Sequence, residues 1–93
     1  MKTIYKDVTN KKGKTYNVKL IYDEEDRELI DFSCYCRFMS FDFWSKKFQQ
    51  LGTICRHILQ ACAEENITLP QKYQTKRNLQ IIETFNKQRI DIK

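Results

Sequence analysis

The stretch Cys34-Tyr35-Cys36 and the later stretch Cys55-Arg56-His57 decide the fold of this 93-residue chain. Each stretch offers two metal-binding side chains one residue apart, and residues 37–54 separate the two pairs. Three cysteine sulfurs and one imidazole are a donor set typical of tetrahedral zinc. We therefore expect one structural zinc ion, with the ligands Cys34, Cys36, Cys55 and His57.

The sequence before the first pair has the alternation of β-strands. Apolar residues occupy every second position in two runs, which are Tyr16, Val18, Leu20 and Tyr22, and then Ile30, Phe32 and Cys34. These runs predict an antiparallel hairpin that carries the first pair at the end of its second arm. A third strand over residues 3–8 is expected to join them through a turn at residues 10–13.

The second pair needs a helix start. Side chains at i and i+2 diverge on a helix, so Cys55 should precede the helix and His57 should lie in its first turn. Gly52 allows a chain reversal and Thr53 can cap, which predicts a helix over about residues 54–65.

The C-terminal part of the chain predicts a second helix. Pro70 interrupts the chain, and residues 75–87 then place Leu79, Ile82 and Phe85 on one side of a helix. Residues 89–93 are expected to fray. The predicted fold class is α+β, a single zinc-stapled domain with a sheet in residues 1–33, a zinc-binding core in residues 34–74 and a helical tail in residues 75–93.

The cysteines and the N-terminus bear on the cellular compartment. Four cysteines can form two disulfides in a secreted protein. The first twelve residues carry four lysines and no apolar run of signal-peptide length, and no later segment is long enough to span a bilayer. We expect an intracellular protein, nuclear if it is eukaryotic, in which close cysteine and histidine pairs bind metal.

The fourth cysteine, Cys62, has a different predicted role. It lies about 10 Å along a helix from Cys55, too far to share an ion with it when a zinc–sulfur bond is about 2.3 Å. Core packing is its expected role. An enzyme with a nucleophilic cysteine is a further alternative, but zinc with four protein ligands has no open position for chemistry, so we expect no catalytic residues.

Charge and aromatic residues are unevenly distributed. The net charge is +5, with six lysines and one aspartate in residues 1–22 and an acidic run in residues 23–31. The segment 37–45 contains Phe38, Phe41, Phe43 and Trp44. These aromatic residues predict either additional core beside the metal or an exposed patch for a partner protein or for base stacking.

The two ligand pairs and their surroundings resemble the SWIM-type zinc finger, Cys-x-Cys followed by Cys-x-His. Residues 46–59, Lys-Lys-Phe-Gln-Gln-Leu-Gly-Thr-Ile-Cys-Arg-His-Ile-Leu, resemble the finger of Mutator-like transposases and of far-red-response transcription factors. Residues 69–73, Leu-Pro-Gln-Lys-Tyr, with Arg77 beyond them, resemble the segment that follows that finger. The chain departs from those relatives in a longer gap between the pairs and in having Asn78 where they often have Trp.

The resemblance implies binding to DNA or to proteins rather than catalysis. We expect a nucleic acid as partner, DNA in preference to RNA, with a protein-interaction module as the alternative and with neither a membrane nor a small-molecule substrate. Lysines of the first turn, at positions 11, 12 and 14, are candidate phosphate contacts. The contacts expected nearer to the finger are Lys46, Lys47, Arg56, Lys72, Lys76 and Arg77.

Overall fold

The computed structural model describes residues 1–36, 39 and 51–91, with side chains up to Lys87. Its elements are the strands β1 (Lys2–Thr9), β2 (Thr15–Tyr22) and β3 (Leu29–Cys34), the helix α1 (Arg56–Glu65), a 3-10 helix (Gln71–Tyr73) and the helix α2 (Lys76–Asp91). The predicted α+β class is confirmed: a three-stranded antiparallel sheet is followed by a cysteine–histidine cluster and two helices. The sequence did not predict the 3-10 helix after Pro70.

The sheet has the order β1-β2-β3, and β2 carries much of its buried face. Val18, Leu20 and Tyr22 alternate inward, as the sequence predicted. The loop between β1 and β2 is closed by the side-chain carbonyl of Asn10, which accepts the backbone N–H groups of Lys12 and Lys14 at 2.9 and 3.0 Å. This loop therefore has a fixed shape and presents its lysines from the end of the hairpin.

One inward position in β3 was predicted wrongly. Leu29 pairs with Tyr22 while Asp31 pairs with Ile21, so Ile30 is an extra residue in the strand. Such a bulge shifts the alternation by one residue. Consequently Leu29 is buried, and Ile30, expected to face inward with Phe32 and Cys34, is 50% exposed.

Helix α1 covers the inner face of the sheet with its buried residues Ile58, Leu59, Ala61, Cys62 and Ala63. It begins at Arg56, not at residue 54, and its N-cap is Cys55 rather than Thr53. It ends at Glu65, and its C-cap Asn66 adopts the left-handed conformation that closes many helices.

The acidic turn between β2 and β3 is attached to the end of α1. The Arg27 guanidinium donates to the backbone carbonyls of Glu65 and Asn66. Backbone hydrogen bonds of 2.8 Å join Thr68 to Arg27 and to Leu29. The turn thus fixes the C-terminus of α1 against the sheet, because a cation beside the last carbonyls stabilises a helix end.

Helix α2 differs from its prediction in its end and in its buried face. Thr75 caps it through its hydroxyl, which accepts the Asn78 N–H at 3.2 Å, and the helix continues to Asp91, beyond the predicted end at residue 87. Leu79, predicted to face the core, is 46% exposed. The face turned to the protein carries Asn78, Ile81, Ile82 and Phe85, which recur at helical spacing. The buried face of α2 therefore includes the polar residue Asn78, and Leu79 lies outside it, unlike in the predicted apolar face.

Candidate metal centre

The first ligand pair lies where β3 ends. Cys34 is the last residue of the strand and Cys36 follows in a bend, and both are buried. Tyr35 between them is 86% exposed. The backbone N–H of Met39 donates to the Cys36 sulfur and helps to fix it. The strand end and the bend after it therefore turn both cysteine side chains inward, as expected from the spacing.

The second pair lies at the start of α1. Cys55 is extended, with φ −70° and ψ 157°, and His57 is the second residue of the helix. This change from extended to helical backbone brings two side chains together that would diverge within a helix. The predicted placement of the second pair, with Cys55 before the helix and His57 in its first turn, is confirmed.

The structure brings the two pairs together into one cluster. The ligand atoms of Cys34, Cys36, Cys55 and His57 all lie within 4.8 Å of one another, and the Cys34 sulfur is 3.8 Å from His57 Nδ1. Two sulfurs bound at about 2.3 Å to one tetrahedral zinc are about 3.8 Å apart. The cluster therefore has a size and a donor set that fit one metal ion.

The protons of the three thiols are coupled within the cluster. A hydrogen bond from Cys55 lowers the pKa of Cys34 to about 6, since it stabilises the Cys34 thiolate. The same hydrogen bond, together with burial, raises the pKa of Cys55, and burial raises that of Cys36. A divalent cation displaces the remaining protons when it binds, so its affinity rises with pH.

The fourth cysteine is outside the cluster. Cys62 is fully buried in the core on the inner side of α1, and burial raises its pKa to about 12. Its predicted role in core packing is confirmed. None of the four cysteines forms a disulfide.

Aromatic and cationic side chains surround the histidine. The Tyr16 ring lies 4.4 Å from the His57 ring, between centroids, at an interplanar angle of 37°. The Lys14 ammonium lies 5.2 Å from the centre of Tyr16. These contacts hold His57 against β2, so the histidine is positioned from the sheet as well as from its own helix.

A polar network from α2 positions the segment before Cys55, and the sequence did not predict it. Asn78, fully buried, donates through Nδ2 to the carbonyls of Gly52 at 2.6 Å and Tyr73 at 2.9 Å. Arg77 Nη1 donates to the Ile54 carbonyl and to Asn78 Oδ1, both at 2.8 Å. The one available signal was Asn78 itself, a polar residue in phase with the apolar face of α2.

The candidate nucleic-acid contacts do not share one environment. Arg56 is exposed, 5.9 Å from the Phe85 ring, and Lys72 lies 5.4 Å from the Tyr73 ring. Lys76 is exposed at the start of α2, whereas Arg77 binds the backbone beside Cys55. Lys46 and Lys47 lie outside the described residues, as does the aromatic segment 37–45 except for Met39, which packs against the core.

Comparison of the chain with protein-family models, with curated proteins and with solved structures finds no match. Within the described residues, the helices are too short or too polar for any of them to cross a membrane. The site is defined by the geometry of this chain's own residues, as a cluster of three cysteines and one histidine able to hold a metal ion.

Proposed function

We propose that this chain is a SWIM-type zinc module that binds nucleic acid, with a zinc ion held by Cys34, Cys36, Cys55 and His57. The observation that carries the proposal is the convergence of these four side chains within 4.8 Å. Thiolate and imidazole donors in a tetrahedral set suit zinc, whereas calcium and magnesium prefer oxygen. The order of the ligands, Cys-x-Cys before Cys-x-His, supports the SWIM assignment.

The zinc in this proposal is structural. Four protein ligands complete its coordination and leave no position for a substrate, so the module binds rather than catalyses. The ligands come from the end of β3 and the start of α1, and one ion therefore joins the sheet to the helix. In small zinc domains the apparent metal-binding free energy is about 10–16 kcal/mol, similar to the whole stability of a domain.

Basic residues near the metal centre support nucleic acid as the partner, and we propose DNA in preference to RNA. The hairpin loop carries Lys11, Lys12 and Lys14, and Arg56 is exposed in the first turn of α1. The acidic run lies in the turn between β2 and β3, where Asp23 and Asp26 accept backbone N–H groups of that turn. Phosphate contacts of this kind determine affinity without reading the sequence of the DNA.

Metal analysis and DNA binding test the proposal separately. Native mass spectrometry is expected to find one zinc per chain, retained in Cys62→Ala and lost in Cys34→Ser. Fluorescence anisotropy with duplex and single-stranded DNA is expected to show affinity that falls steeply with salt. A chain without zinc refutes the metal assignment, and a zinc-loaded chain that binds no DNA at low salt refutes the nucleic-acid function.

The alternative of a protein-interaction module through Phe41, Phe43 and Trp44 stays a prediction, because these residues lie outside the described part of the chain.

A further inference from the structure

A cavity of about 280 Å³ lies beside the metal centre, where the hairpin loop meets both helices. The loop contributes Asn10 and Lys11, α1 contributes Arg56, His57 and Gln60, and α2 contributes Phe85. His57 thus belongs to the metal cluster and to the wall of this cavity. The shape of the cavity depends on the cluster, because the same side chain serves both.

The walls of the cavity combine positive charge with an aromatic ring. The Arg56 guanidinium lies 5.9 Å from the centre of the Phe85 ring. Lys11 is exposed at the rim, and Lys12 and Lys14 follow in the same loop. None of the described residues that line the cavity is an aspartate or a glutamate. The cavity is therefore suited to an anion that carries a flat, polarisable group.

We propose that this cavity holds one unstacked nucleotide of a single-stranded nucleic acid, an inference that rests on the proposed function. Its base packs on the Arg56–Phe85 pair, and its phosphate contacts Lys11 and Arg56. A base in a duplex is stacked on its neighbours and cannot offer its face to a protein ring, whereas a single strand can. The side-chain amides of Asn10 and Gln60 lie in the wall, where the polar edge of a base can reach them.

The test uses the zinc-loaded full chain and a fluorescein-labelled twelve-nucleotide thymidine strand, read by anisotropy at two salt concentrations. Phe85→Leu keeps an apolar side chain but removes the ring, and we expect about tenfold weaker binding, as for loss of one base–aromatic stack. Lys11→Gln and Arg56→Gln change exposed residues, and each should weaken binding several-fold and reduce the salt slope by about 0.7.

The matched control is Lys2→Gln, which removes the same charge at the opposite end of β1. Lys2 is about 23 Å along the strand from the hairpin loop, so we expect less than a twofold effect. Melting temperature and zinc content are measured for every variant. The two surface variants keep the test decisive if Phe85→Leu does not fold.

The outcomes separate this inference from the proposed function. A wild-type chain that binds neither strand nor duplex refutes the function and the inference together. If the three cavity variants weaken binding no more than Lys2→Gln does, the inference is overturned and the proposed function is not. The inference is also overturned if the duplex binds more tightly than the strand, or if thymidine monophosphate competes as well as the strand does.

Discussion

The two ligand pairs have the same spacing, Cys-x-Cys and Cys-x-His, but the molecule supports them differently. Cys34 ends a strand whose backbone is paired with β2, Cys36 lies in the bend beyond it, and the Met39 N–H reaches the Cys36 sulfur. Cys55 and His57 lie at a helix start that α2 contacts from outside through Asn78 and Arg77. The first pair lies at the end of a sheet strand, whereas the second is contacted both by β2, through Tyr16 and His57, and by α2.

This difference shows how two pairs with the same spacing can supply side chains to one candidate metal site from two kinds of backbone. A strand end places i and i+2 on one face, and the bend at Cys36 then brings the two sulfurs together. A helix start does so only when the residue before the helix is held in an extended conformation, as Cys55 is. The hydrogen bonds from α2 to the Gly52 and Ile54 carbonyls supply that restraint. In the proposed zinc module, the metal and α2 both act on the second pair, and their contributions can be measured separately.

The largest expected effect is that of removing the metal. Chelation, Cys36→Ser and Cys55→Ser should each abolish the cooperative thermal transition followed by circular dichroism, because about 10 kcal/mol or more of binding free energy is lost. We expect the same loss from either pair, since hydrogen bonds of about 1 kcal/mol each cannot replace the metal.

The control for metal removal is Cys62→Ala, which changes a cysteine outside the cluster. It should keep one zinc and a cooperative transition, at a melting temperature lowered by the loss of one buried sulfur. A contrary result would be a Cys55→Ser chain that, in the presence of chelator, still melts cooperatively at the temperature of the zinc-loaded wild type. It would show that α2 alone positions the second pair.

The sequence predicted those parts of the molecule that depend on local pattern. The alternation in β2 identified its buried face, and the spacing of the ligands identified the cluster and the start of α1. Along β2 and within each ligand pair, the prediction depends on residues a few positions apart, where backbone geometry fixes which side chains share a face. The sequence was sufficient to predict which four residues form the cluster, Cys34, Cys36, Cys55 and His57.

Long-range packing decided the features that the sequence did not predict. Ile30 is exposed because the register with β2 favours Leu29 inside, and local alternation cannot choose between them. Asn78 is buried because two backbone carbonyls of other segments accept its amide group. The cavity could not be predicted either, since its walls come from three separate elements that only the fold brings together.

The second largest effect is expected from Asn78→Ala, which changes the support of the second pair and not of the first. The Gly52 and Tyr73 carbonyls lose their donor, and we expect a cost of about 2–4 kcal/mol in the free energy of unfolding of the zinc-loaded chain. The extended segment before Cys55 is less restrained, so zinc should also pass to a chromogenic chelator several-fold faster. Chemical denaturation and stopped-flow absorbance measure the two effects.

The control for this variant is Gln80→Ala, which truncates an exposed amide on the same helix. It should change stability by less than about 0.5 kcal/mol, the usual range for a surface substitution, and leave zinc release unchanged. Equal release rates for the two variants would mean that α2 stabilises the fold without restraining the second pair.

The smallest effect distinguishes two glycines with similar backbones. Gly52 and Gly13 have φ values of 73° and 86°, in a region where a side chain costs roughly 1 kcal/mol. A Cβ at Gly52 would lie 2.5 Å from the Lys72 carbonyl oxygen, whereas at Gly13 it would meet nothing within 4 Å. Gly52→Ala should therefore cost about 2–3 kcal/mol and Gly13→Ala about 1 kcal/mol in chemical denaturation.

The backbone conformation costs both variants a similar free energy. The difference between their two losses of stability therefore measures the contact of Gly52 with Lys72. The chain before Cys55 runs so close to the residues before α2 that a methyl group displaces one or the other. Zinc release should accelerate in Gly52→Ala and not in Gly13→Ala, where the added Cβ meets nothing within 4 Å. Equal losses of stability in the two variants would mean that this close approach relaxes without cost, and that the second pair needs no external support beyond the hydrogen bonds of Asn78 and Arg77.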